Sequence, residues 1–400
     1  MRIGMLADVY KPVISGVTNY ISTNKEVLES LGHEVYVFTF GHEDFKDEEQ
    51  RIIRSPGLPI LETGFYLSIR YTKKAYQLLR RMDVVHVHHP FISGSLALRY
   101  LRPVGIPIVF TNHTRYDLYS QAYLPAMPNT ISTAALQAYL PNFCRSCEVV
   151  IAPSPGMKDV MRTLDVDTEI EVVPNGVDLQ PFSKGLEPIS REHFGFSADD
   201  ILLVFAGRLG PEKNIPFLLR CFAGAAEAYE NVSLLIVGDG PERGNLEDRV
   251  NYMGINERVY FTGMAPYDQV PRYLAAADIF VTASVSEVHP LSIIEAMASG
   301  LPVLGIRSPG VEDTVLDGET GLLVAKEDLA SFTAKMIRMI VNDEKRRQMG
   351  AQARERAQIY AIEKTTQMIL AQYQKAIDNA AHRKPGLGDR FRRWWDGFNL

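Results

Sequence analysis

The chain is predicted to be an α/β protein built from two Rossmann-like, doubly wound domains. Apolar runs with the length of strands alternate with helical patterns along the whole sequence, and this series occurs twice. A length of 400 residues also exceeds what one hydrophobic core usually supports. Strands that alternate with helices form parallel sheets covered on both faces, so two series predict two domains, each with its own sheet.

The first series supplies the strands of an N-terminal domain. Its five apolar runs are typical of buried strands and lie at 2–6, 34–40, 84–88, 108–112 and 149–153. The second series has the same character, with runs at 201–207, 232–237, 259–262, 279–283 and 303–306. A long helical pattern at 330–381, in two or three pieces, closes the folded part of the chain.

The boundary between the domains is placed near Pro174, Asn175 and Gly176, because these residue types in sequence interrupt regular structure. The N-terminal domain is therefore expected at 1–175 and the C-terminal domain from 176 to about 362. A tail at 382–400 differs in composition, since it is basic and holds both tryptophans of the chain.

Composition excludes several classes of protein. A net charge of -6 argues against a nucleic-acid-binding protein. The sequence contains no run of about 18 apolar residues, which a membrane-spanning helix would need, and the N-terminus lacks the pattern of a signal peptide. The C-x-x-C of Cys144 and Cys147 has neither a second ligand pair nor a thioredoxin-like context, so buried free thiols in a cytoplasmic protein are expected.

Two glutamates follow one of the predicted strands with seven residues between them. Glu287 falls in a loop and Glu295 in a short helix, which Pro290 would begin at its first position and Gly300 would end. A helix N-terminus favours an anion such as phosphate. Carboxylates beside such an anion suit the hydroxyls of a neutral group attached to it, and a phosphate that carries a polyol is a nucleotide sugar.

Open α/β sheets bind ligands at the carboxyl ends of their strands, and other loops at these ends carry residues that suit the parts of a nucleotide sugar. Gly16 lies in the loop after the first strand and allows backbone to approach a phosphate. Arg208 and Lys213 follow the first strand of the second series, beside a helix whose first turn Pro211 or Glu212 would occupy, and can clamp a diphosphate. Gly238, after the next strand, permits close approach to a base or ribose, although a plain turn explains it almost as well.

Histidines end two strands of the first series. His113 follows the fourth strand, where a ring in a cleft can bond to sugar hydroxyls or to a reacting group. His86, His88 and His89 end the third strand, but alternation places His86 and His88 on one face and His89 on the other. A zinc site is therefore not favoured, and no metal is expected.

Taken together, the runs GRL…EKN, VGDGPER and SEVHPLSIIEAMASGLPV resemble the retaining GT-B glycosyltransferases of family 4. The resemblance extends from the Gly16 loop to the closing helices. It implies two Rossmann-like domains that face a cleft, with the acceptor bound by the first and the nucleotide sugar by the second. It also implies a final helix, at 363–381, that crosses back to the first domain, and a reaction without an essential metal or cofactor.

The resemblance assigns roles to individual residues. Arg208 and Lys213 would bind the donor diphosphate, Glu287 the hydroxyls of the donor sugar, and Glu295 the ribose. Gly16 would let its loop approach the phosphates, and His113 would lie beside the donor sugar and the acceptor. The set expected to carry catalysis is His113, Glu287, Arg208 and Lys213.

One departure from the family pattern concerns the segment after the first glutamate. The family often has a run of small residues there, whereas this chain has Val288, His289 and Pro290. Proline lacks an N–H, so the amides of Leu291 and Ser292 would have to contact phosphate. His289 would either add a hydrogen bond or pack.

Three segments favour a lipid acceptor on a membrane surface. Cations at Arg70, Lys73 and Lys74 accompany apolar residues at helical spacing, which indicates either contact with an anionic membrane or a helix packed on its own sheet. A tyrosine- and leucine-rich stretch at 116–143 suits an acceptor wall or a lipid-facing flap, and the run at 112–119, which holds Arg115, Tyr116 and Tyr119, resembles the diacylglycerol-type enzymes of the family. The tail adds arginines beside tryptophans, a combination favoured at membrane interfaces.

The function predicted is transfer of a hexose from a UDP- or GDP-sugar to a membrane lipid such as diacylglycerol, with retention of configuration, on the inner face of the cell membrane. A soluble or polyprenyl-linked acceptor stays open. So does a different class, namely a GT-B nucleotide-sugar epimerase or a non-catalytic sugar-nucleotide binder. The sequence does not decide the donor sugar, its base or the oligomeric state.

Overall fold

The computed structural model describes residues 1–60, 66–118, 129–183, 185–325 and 328–382, with side chains for all of these except 129–131. The described residues form two compact units. The first comprises those within Met1–His113, Pro128–Gly176 and Ile362–Leu400, and the second those within Thr114–Met127 and Val177–Ala361.

A parallel sheet forms the centre of the first unit. Its seven strands among the described residues have the order β3-β2-β1-β6-β7-β8-β9, and β4 and β5 form a separate antiparallel pair. The strands are β1 Arg2–Leu6, β2 Glu34–Phe40, β3 Ile52–Ser55, β4 Leu58–Pro59, β5 Tyr66–Leu67, β6 Val84–Val87, β7 Ile108–Thr111, β8 Val149–Ala152 and β9 Glu171–Val172. The helices are α1 Gly16–Ser30, α2 Lys73–Leu79, α3 Ile92–Tyr100, α4 Asn129–Cys144 and α5 Pro155–Thr163.

The helix α1 shows how local sequence sets an element that later frames the site. Ser15 caps it by accepting a hydrogen bond from the Thr18 amide, and the Thr18 hydroxyl accepts one from the Ser15 amide, so both orphan donors are satisfied. Its apolar face buries Tyr20, Ile21 and Leu28 against the sheet. The chain then turns away at Gly32, whose φ of +83° suits glycine.

A second parallel sheet forms the centre of the other unit. Its six strands among the described residues have the order β12-β11-β10-β13-β14-β15. They are β10 Ile201–Ala206, β11 Val232–Val237, β12 Val259–Gly263, β13 Ile279–Thr282, β14 Val303–Ile306 and β15 Gly321–Val324. The helices are α6 Ile215–Ala228, α7 Arg243–Tyr252, α8 Val270–Ala275, α9 Leu291–Ala298, α10 Pro309–Thr314, α11 Leu329–Val341 and α12 Asp343–Ala357.

The last helix, α13 (Ile362–His382), belongs to the first unit. Ile369, Tyr373 and Ala376 are buried with residues of that unit's sheet and of α1. The Thr366 hydroxyl donates to the Asn24 side chain across 3.1 Å, which ties α13 to α1 in the buried region. Residues of the C-terminal end of the chain thereby complete the core of the N-terminal sheet.

The predicted α/β class with two parallel sheets is confirmed, while three details were wrong. Pro290 is the extended N-cap of α9 rather than its first helical residue, so the helix begins at Leu291. The short edge strands β3 and β15 were not predicted. The residues at 211–213 form a 3₁₀ turn and not the first turn of α6, which begins after Asn214 in the left-handed conformation.

The basic helix predicted around Arg70, Lys73 and Lys74 in the first domain is shorter than expected. It covers Lys73–Leu79, so Ile69 precedes it and is 76% exposed, whereas Ala75, Leu79 and Met82 are buried in the unit. The predicted apolar stripe is therefore divided, with one part in the core and one at the surface. No helix of the described residues is long and apolar enough to cross a membrane.

The cysteines of the described chain are all free thiols, and Cys144 and Cys221 are buried as expected, whereas Cys147 is partly buried. Burial raises the pKa of Cys144 to about 12, and that of Cys147 also lies well above its ordinary range because of burial. Neither sulfur is thus a thiolate near neutral pH, which agrees with packing rather than with redox chemistry.

Candidate active site

Two loops at the carboxyl edge of the second sheet pack directly on each other. The Gly207 amide donates to the Val237 carbonyl and the Leu209 amide to the Asp239 carbonyl, each across 2.9 Å. A Cβ on Gly238 would lie 2.1 Å from the Gly207 carbonyl oxygen, and its φ is +134°. Loop packing alone therefore requires glycine at 238, so its role in donor binding stays a prediction.

The centre of this edge is an ion pair between two predicted site residues. Lys213 Nζ donates to Glu287 Oε1 across 2.6 Å, although the residues are 74 positions apart. Their side chains are 21% and 16% exposed, so the pair is mostly shielded but remains open to solvent. Arg208 lies in the same loop as Lys213 and is exposed.

The electrostatics keep Glu287 ionised. Burial alone would raise the pKa of this carboxyl, but the Lys213 charge and hydrogen bond, together with the Ser284 hydroxyl, lower it below its ordinary value. A carboxylate held in this way accepts hydrogen bonds from hydroxyl groups. It is not a proton donor near neutral pH.

The loop that carries Glu287 is fixed by a segment that the sequence did not single out. The Gly310 amide donates to the Glu287 carbonyl across 3.1 Å. A Cβ on Gly310 would lie 2.4 Å from the carbonyl carbon of Val288, so only glycine permits this approach. The signal available was a glycine four residues after β14, at the second position of α10, and a glycine between a strand and a helix is common and therefore carried little information.

In place of the family's small residues, this chain has a buried His289 ahead of α9. His289 is 4% exposed and its ring meets that of Tyr360 edge-on, with centroids 4.9 Å apart. Burial, with a smaller effect of Arg356, lowers the pKa of His289 to about 3, so the ring is neutral. The first hydrogen bond of α9 runs from the Ile294 amide to the Pro290 carbonyl. The amides of Leu291 and Ser292 therefore have no carbonyl partner within the helix.

Glu295 faces a different environment from Glu287. It is 5% exposed and accepts a hydrogen bond from the Tyr267 hydroxyl across 2.8 Å. Burial raises the pKa of Glu295 to about 7, and the Tyr267 hydrogen bond opposes this only in part. The carboxyl is a hydrogen-bonding group that changes protonation near neutral pH, and Tyr267 is a partner that sequence spacing did not indicate.

The first unit places a second polar cluster at the carboxyl ends of β6 and β7. His88 Nδ1 and His113 Nε2 are 3.0 Å apart, and the Tyr20 ring lies 4.7 Å from that of His113. Tyr20 stands one turn into α1, whose first residue is Gly16. A Cβ on Gly16 would meet nothing within 4 Å, so the start of α1 is open, and the Gly16 segment and His113 border the same region of this unit.

The predicted division of the strand-end histidines is confirmed. The rings of His86 and His88 have centroids 4.1 Å apart, whereas His89 Nδ1 accepts a hydrogen bond from the Asp8 amide. His86 uses both nitrogens, with Tyr373 Oη at 2.9 Å and Thr111 Oγ1 at 2.7 Å. In the part of the chain that the structure describes, no group of three His, Cys, Asp or Glu residues could hold a metal ion.

Residues predicted to contact the acceptor or membrane are partly exposed, partly buried and partly outside the described chain. Arg70, Lys73 and Lys74 are exposed at and before the start of α2. Arg115 forms an ion pair with Asp117, with 2.6 Å between nitrogen and oxygen, and Tyr116 beside it is partly buried. Tyr119, with the rest of 119–128 in the tyrosine-rich stretch, and the tail from 383 lie outside the described residues, whereas 129–143 of that stretch belong to α4.

The fold is that of GT-B glycosyltransferases. It is similar to sucrose-phosphate synthase from Thermosynechococcus elongatus, with a TM-score of 0.78 and 23% identity over 94% of this chain and 98% of that one. It is also similar to Anabaena HepE in complex with UDP-glucose, with a TM-score of 0.74 and 21% identity over 94% of this chain and 99% of that one.

Sequence comparison defines the family. The model "Glycosyltransferase Family 4" matches residues 14–181 and "Glycosyl transferases group 1" matches 187–356. The alpha-monoglucosyldiacylglycerol synthase of Acholeplasma laidlawii is 32% identical over 82% of this chain and 86% of its own length. The Streptococcus pneumoniae protein of the same name is 32% identical over 82% and 77%. The chain belongs to the family 4, group 1 glycosyltransferases, as the sequence motifs predicted.

Proposed function

We propose that this glycosyltransferase moves a hexose from a nucleotide sugar to a hydroxyl group of a membrane lipid such as diacylglycerol, with retention of configuration. The observation that carries the donor half is the Lys213–Glu287 pair beside the start of α9, with buried Glu295 on the same helix. The cation and the amides at the start of α9 match the diphosphate of a nucleotide sugar, and the carboxylates match its hydroxyl groups.

The proposed reaction gives each group a separate task. Cleavage of the bond between sugar and diphosphate leaves negative charge on the phosphate oxygen, which Lys213, Arg208 and the amides of Leu291 and Ser292 stabilise. Preorganised donors of this kind contribute roughly 3–4 kcal/mol each. Glu287 accepts hydrogen bonds from sugar hydroxyls, and the acceptor hydroxyl attacks from the side of the leaving group, passing its proton to the departing phosphate oxygen.

Glu295 is proposed to hold the ribose. Two neighbouring ribose hydroxyls can donate to its carboxylate in place of the Tyr267 hydroxyl that bonds to it in the free protein. UDP as the nucleotide is supported by the Anabaena HepE complex with UDP-glucose. GDP stays open, because the GDP-mannose-dependent alpha-mannosyltransferase of Corynebacterium glutamicum is 27% identical over 94% of this chain and 89% of its own length.

The lipid acceptor is supported by the names of the two relatives that share 32% identity, both of which are diacylglycerol glucosyltransferases by description. The surface of the first unit adds a physical reason. Leu67 and Ile69 are 51% and 76% exposed, and Arg70, Lys73 and Lys74 follow them directly in the chain and are also exposed. Apolar groups beside cations suit the inner, anionic leaflet of a cell membrane.

The decisive experiment is a screen of UDP- and GDP-hexoses by nucleotide release, with dispersed diacylglycerol present or absent, followed by analysis of the glycolipid and its anomeric configuration. Release that requires the lipid and yields a glycolipid of unchanged configuration supports the proposal. An epimerase would convert the donor without any acceptor, and a non-catalytic binder would leave it intact. A product of inverted configuration would rule out the retaining mechanism, and transfer only to soluble acceptors would rule out a lipid acceptor.

Membrane contact is tested separately by co-sedimentation with vesicles of phosphatidylcholine, with and without an anionic phospholipid. The triple variant Ile69→Ser, Lys73→Ala, Lys74→Ala should bind anionic vesicles more weakly than the natural chain. The matched control is Arg249→Ala with Tyr252→Ser, which removes an exposed cation and a 93% exposed ring from α7 of the other unit. Equal binding by both variants would contradict the proposed surface.

A further inference from the structure

The contact between His88 and His113 is a hydrogen bond between two imidazoles. His88 Nδ1 lies 3.0 Å from His113 Nε2, and the ring planes are within 27° of each other. His88 is fully buried, and its Nε2 has no hydrogen-bond partner among the described residues. His113 keeps 8% exposure. Because Nε2 faces buried His88, the accessible part of the His113 ring lies on another edge.

One proton is shared in this contact, since both rings are neutral. Burial, and then the neighbouring histidines, lower the pKa values of His88 and His113 well below the ordinary value of 6.5. In one arrangement His88 Nδ1–H donates, which leaves a lone pair on its buried Nε2. In the other, His113 Nε2–H donates, which leaves a buried Nε2–H on His88 with no acceptor. Orphaned buried N–H donors are the rarer case in native proteins, so the first arrangement is favoured.

We propose that His88 is a positioning residue that donates from Nδ1 to Nε2 of His113 and thereby fixes His113 as the Nδ1–H tautomer, with that N–H directed to a substrate oxygen. The catalytic consequence rests on the proposed function, whereas the hydrogen bond and the tautomer do not. A neighbouring hydrogen bond is the ordinary means by which proteins select the tautomer and orientation of an active-site imidazole.

The surroundings of His88 leave its ring little freedom to turn. His86 lies against it with ring centroids 4.1 Å apart, and His86 is itself held at both nitrogens by Tyr373 and Thr111. On another side, Tyr20 meets the His88 ring edge-on at 5.7 Å and the His113 ring at 4.7 Å. A strand end, α1 and α13 thus hold one imidazole in a defined position, which is what a tautomer-selecting partner requires.

The first test needs no substrate. In ¹⁵N-labelled full-length protein, two-bond ¹H–¹⁵N correlations of the imidazoles report which nitrogen carries the proton, and His113→Gln assigns the signals of His113. The natural chain should show His113 protonated at Nδ1, and His88→Phe should shift it to a tautomer mixture. His113 protonated at Nε2 in the natural chain, or unchanged in His88→Phe, would overturn the proposal.

The second test separates positioning from packing through matched amides. An asparagine at 88 places its amide nitrogen near the position of Nδ1, whereas a glutamine places it near Nε2. We expect kcat to fall by about 10- to 100-fold in His88→Phe and His88→Gln and to recover in His88→Asn, with KM for the nucleotide sugar changed less than about threefold. His42→Asn, at an exposed ring of the same unit, is the control and should retain full activity.

The outcomes distinguish the two levels of the proposal. Equal kcat in the asparagine and glutamine variants, when both melt at similar temperatures, would mean that the ring only fills space, and the proposal would be wrong. If the natural chain transferred no sugar from any donor to any acceptor, the proposed function would fail. The tautomer of His113 would still be decided by the spectra.

Discussion

The two strand-end clusters of this glycosyltransferase handle polarity in opposite ways. In the second unit, Lys213 and Glu287 remain charged, paired and 21% and 16% exposed. In the first unit, His86, His88 and His113 are buried, and burial keeps all three neutral by lowering their pKa values. Charge is thus retained where solvent can reach it, and removed where the rings are buried.

The difference predicts what each cluster contributes. An ion pair at the surface of a site can exchange its internal partner for a ligand, because both groups are solvated during the exchange. A buried network of imidazoles and hydroxyls cannot, since any lost partner leaves a polar atom unsatisfied. Changes in the Lys213–Glu287 pair should therefore mainly affect sugar transfer, and changes in the buried histidine cluster should also affect folding.

The largest effect is expected for Lys213→Ala. Loss of this cation removes stabilisation of the leaving diphosphate, so kcat should fall by about 100- to 1,000-fold, the range found when one preorganised donor is removed. Nucleotide release is measured at saturating donor, with Lys345→Ala on α12 as the control for a lysine outside the site. Activity of Lys213→Ala within a few-fold of the natural chain would show that the cation does not act on the leaving group.

The next effect concerns Glu295 and the pH dependence of stability. Its pKa is raised from 4.5 to about 7 in the folded chain, so the native state binds the proton more tightly than the unfolded state does. This contribution is fully present below pH 4.5 and is lost as pH rises through 7. Relative to Glu295→Gln, the free energy of unfolding of the natural chain should therefore fall by up to about 3 kcal/mol over this window.

The measurement is urea unfolding of both chains at several pH values between 4.5 and 8. Asp248→Asn, at an exposed position of α7, serves as the control, and its stability should stay parallel to that of the natural chain. A constant difference between the natural chain and Glu295→Gln across the window would show that Glu295 titrates near its ordinary value. Bound UDP should reduce the slope if ribose hydroxyls replace Tyr267 on the ionised carboxylate.

Features that depend on neighbouring residues in the chain could be predicted from the sequence, whereas contacts between residues far apart in the chain could not. The strands β1, β2, β11 and β14 were predicted to the residue, because a strand is a local pattern of apolar residues bounded by turns. The same reasoning found Glu287, Lys213 and His113, since all three follow such strands. Edge strands β3 and β15 were missed, because four residues with little alternation give a weak signal.

What the sequence could not supply were partners fixed by tertiary packing. Tyr267 bonds to Glu295 from 28 residues away, and Tyr373 bonds to His86 from 287 residues away. Glycine is required at 310 because a side chain there would collide with the Val288 carbonyl carbon, and the sequence spacing of the two residues does not predict this contact. Pro290 was placed one residue too far into the helix, because proline suits both an extended N-cap and a first turn.

A smaller effect is expected for Gly310→Ala, which tests whether the Glu287 loop is held by close backbone approach. The added Cβ would lie 2.4 Å from Val288 carbonyl carbon, so backbone must move, at a cost of roughly 1–3 kcal/mol of stability with a matching loss of transfer. Gly244→Ala is the matched control, because its Cβ would meet nothing within 4 Å and a helical alanine stabilises. Equal melting temperatures for the two variants would contradict the close approach.

The smallest effect, and the sharpest test of the contrast between the clusters, is Tyr373→Phe. It removes only the hydroxyl that lies 2.9 Å from His86 Nδ1 and leaves that nitrogen buried without this partner. The free energy of unfolding should fall by about 1–2 kcal/mol. The affinity for UDP, measured by calorimetry, should stay unchanged, because the side chains proposed to hold UDP, those of Arg208, Lys213 and Glu295, belong to the other unit. Lys213→Ala should show the reverse order, with the larger loss in UDP affinity. If Tyr373→Phe instead weakened UDP binding without loss of stability, the division between a charged binding cluster and a neutral orienting cluster would be wrong.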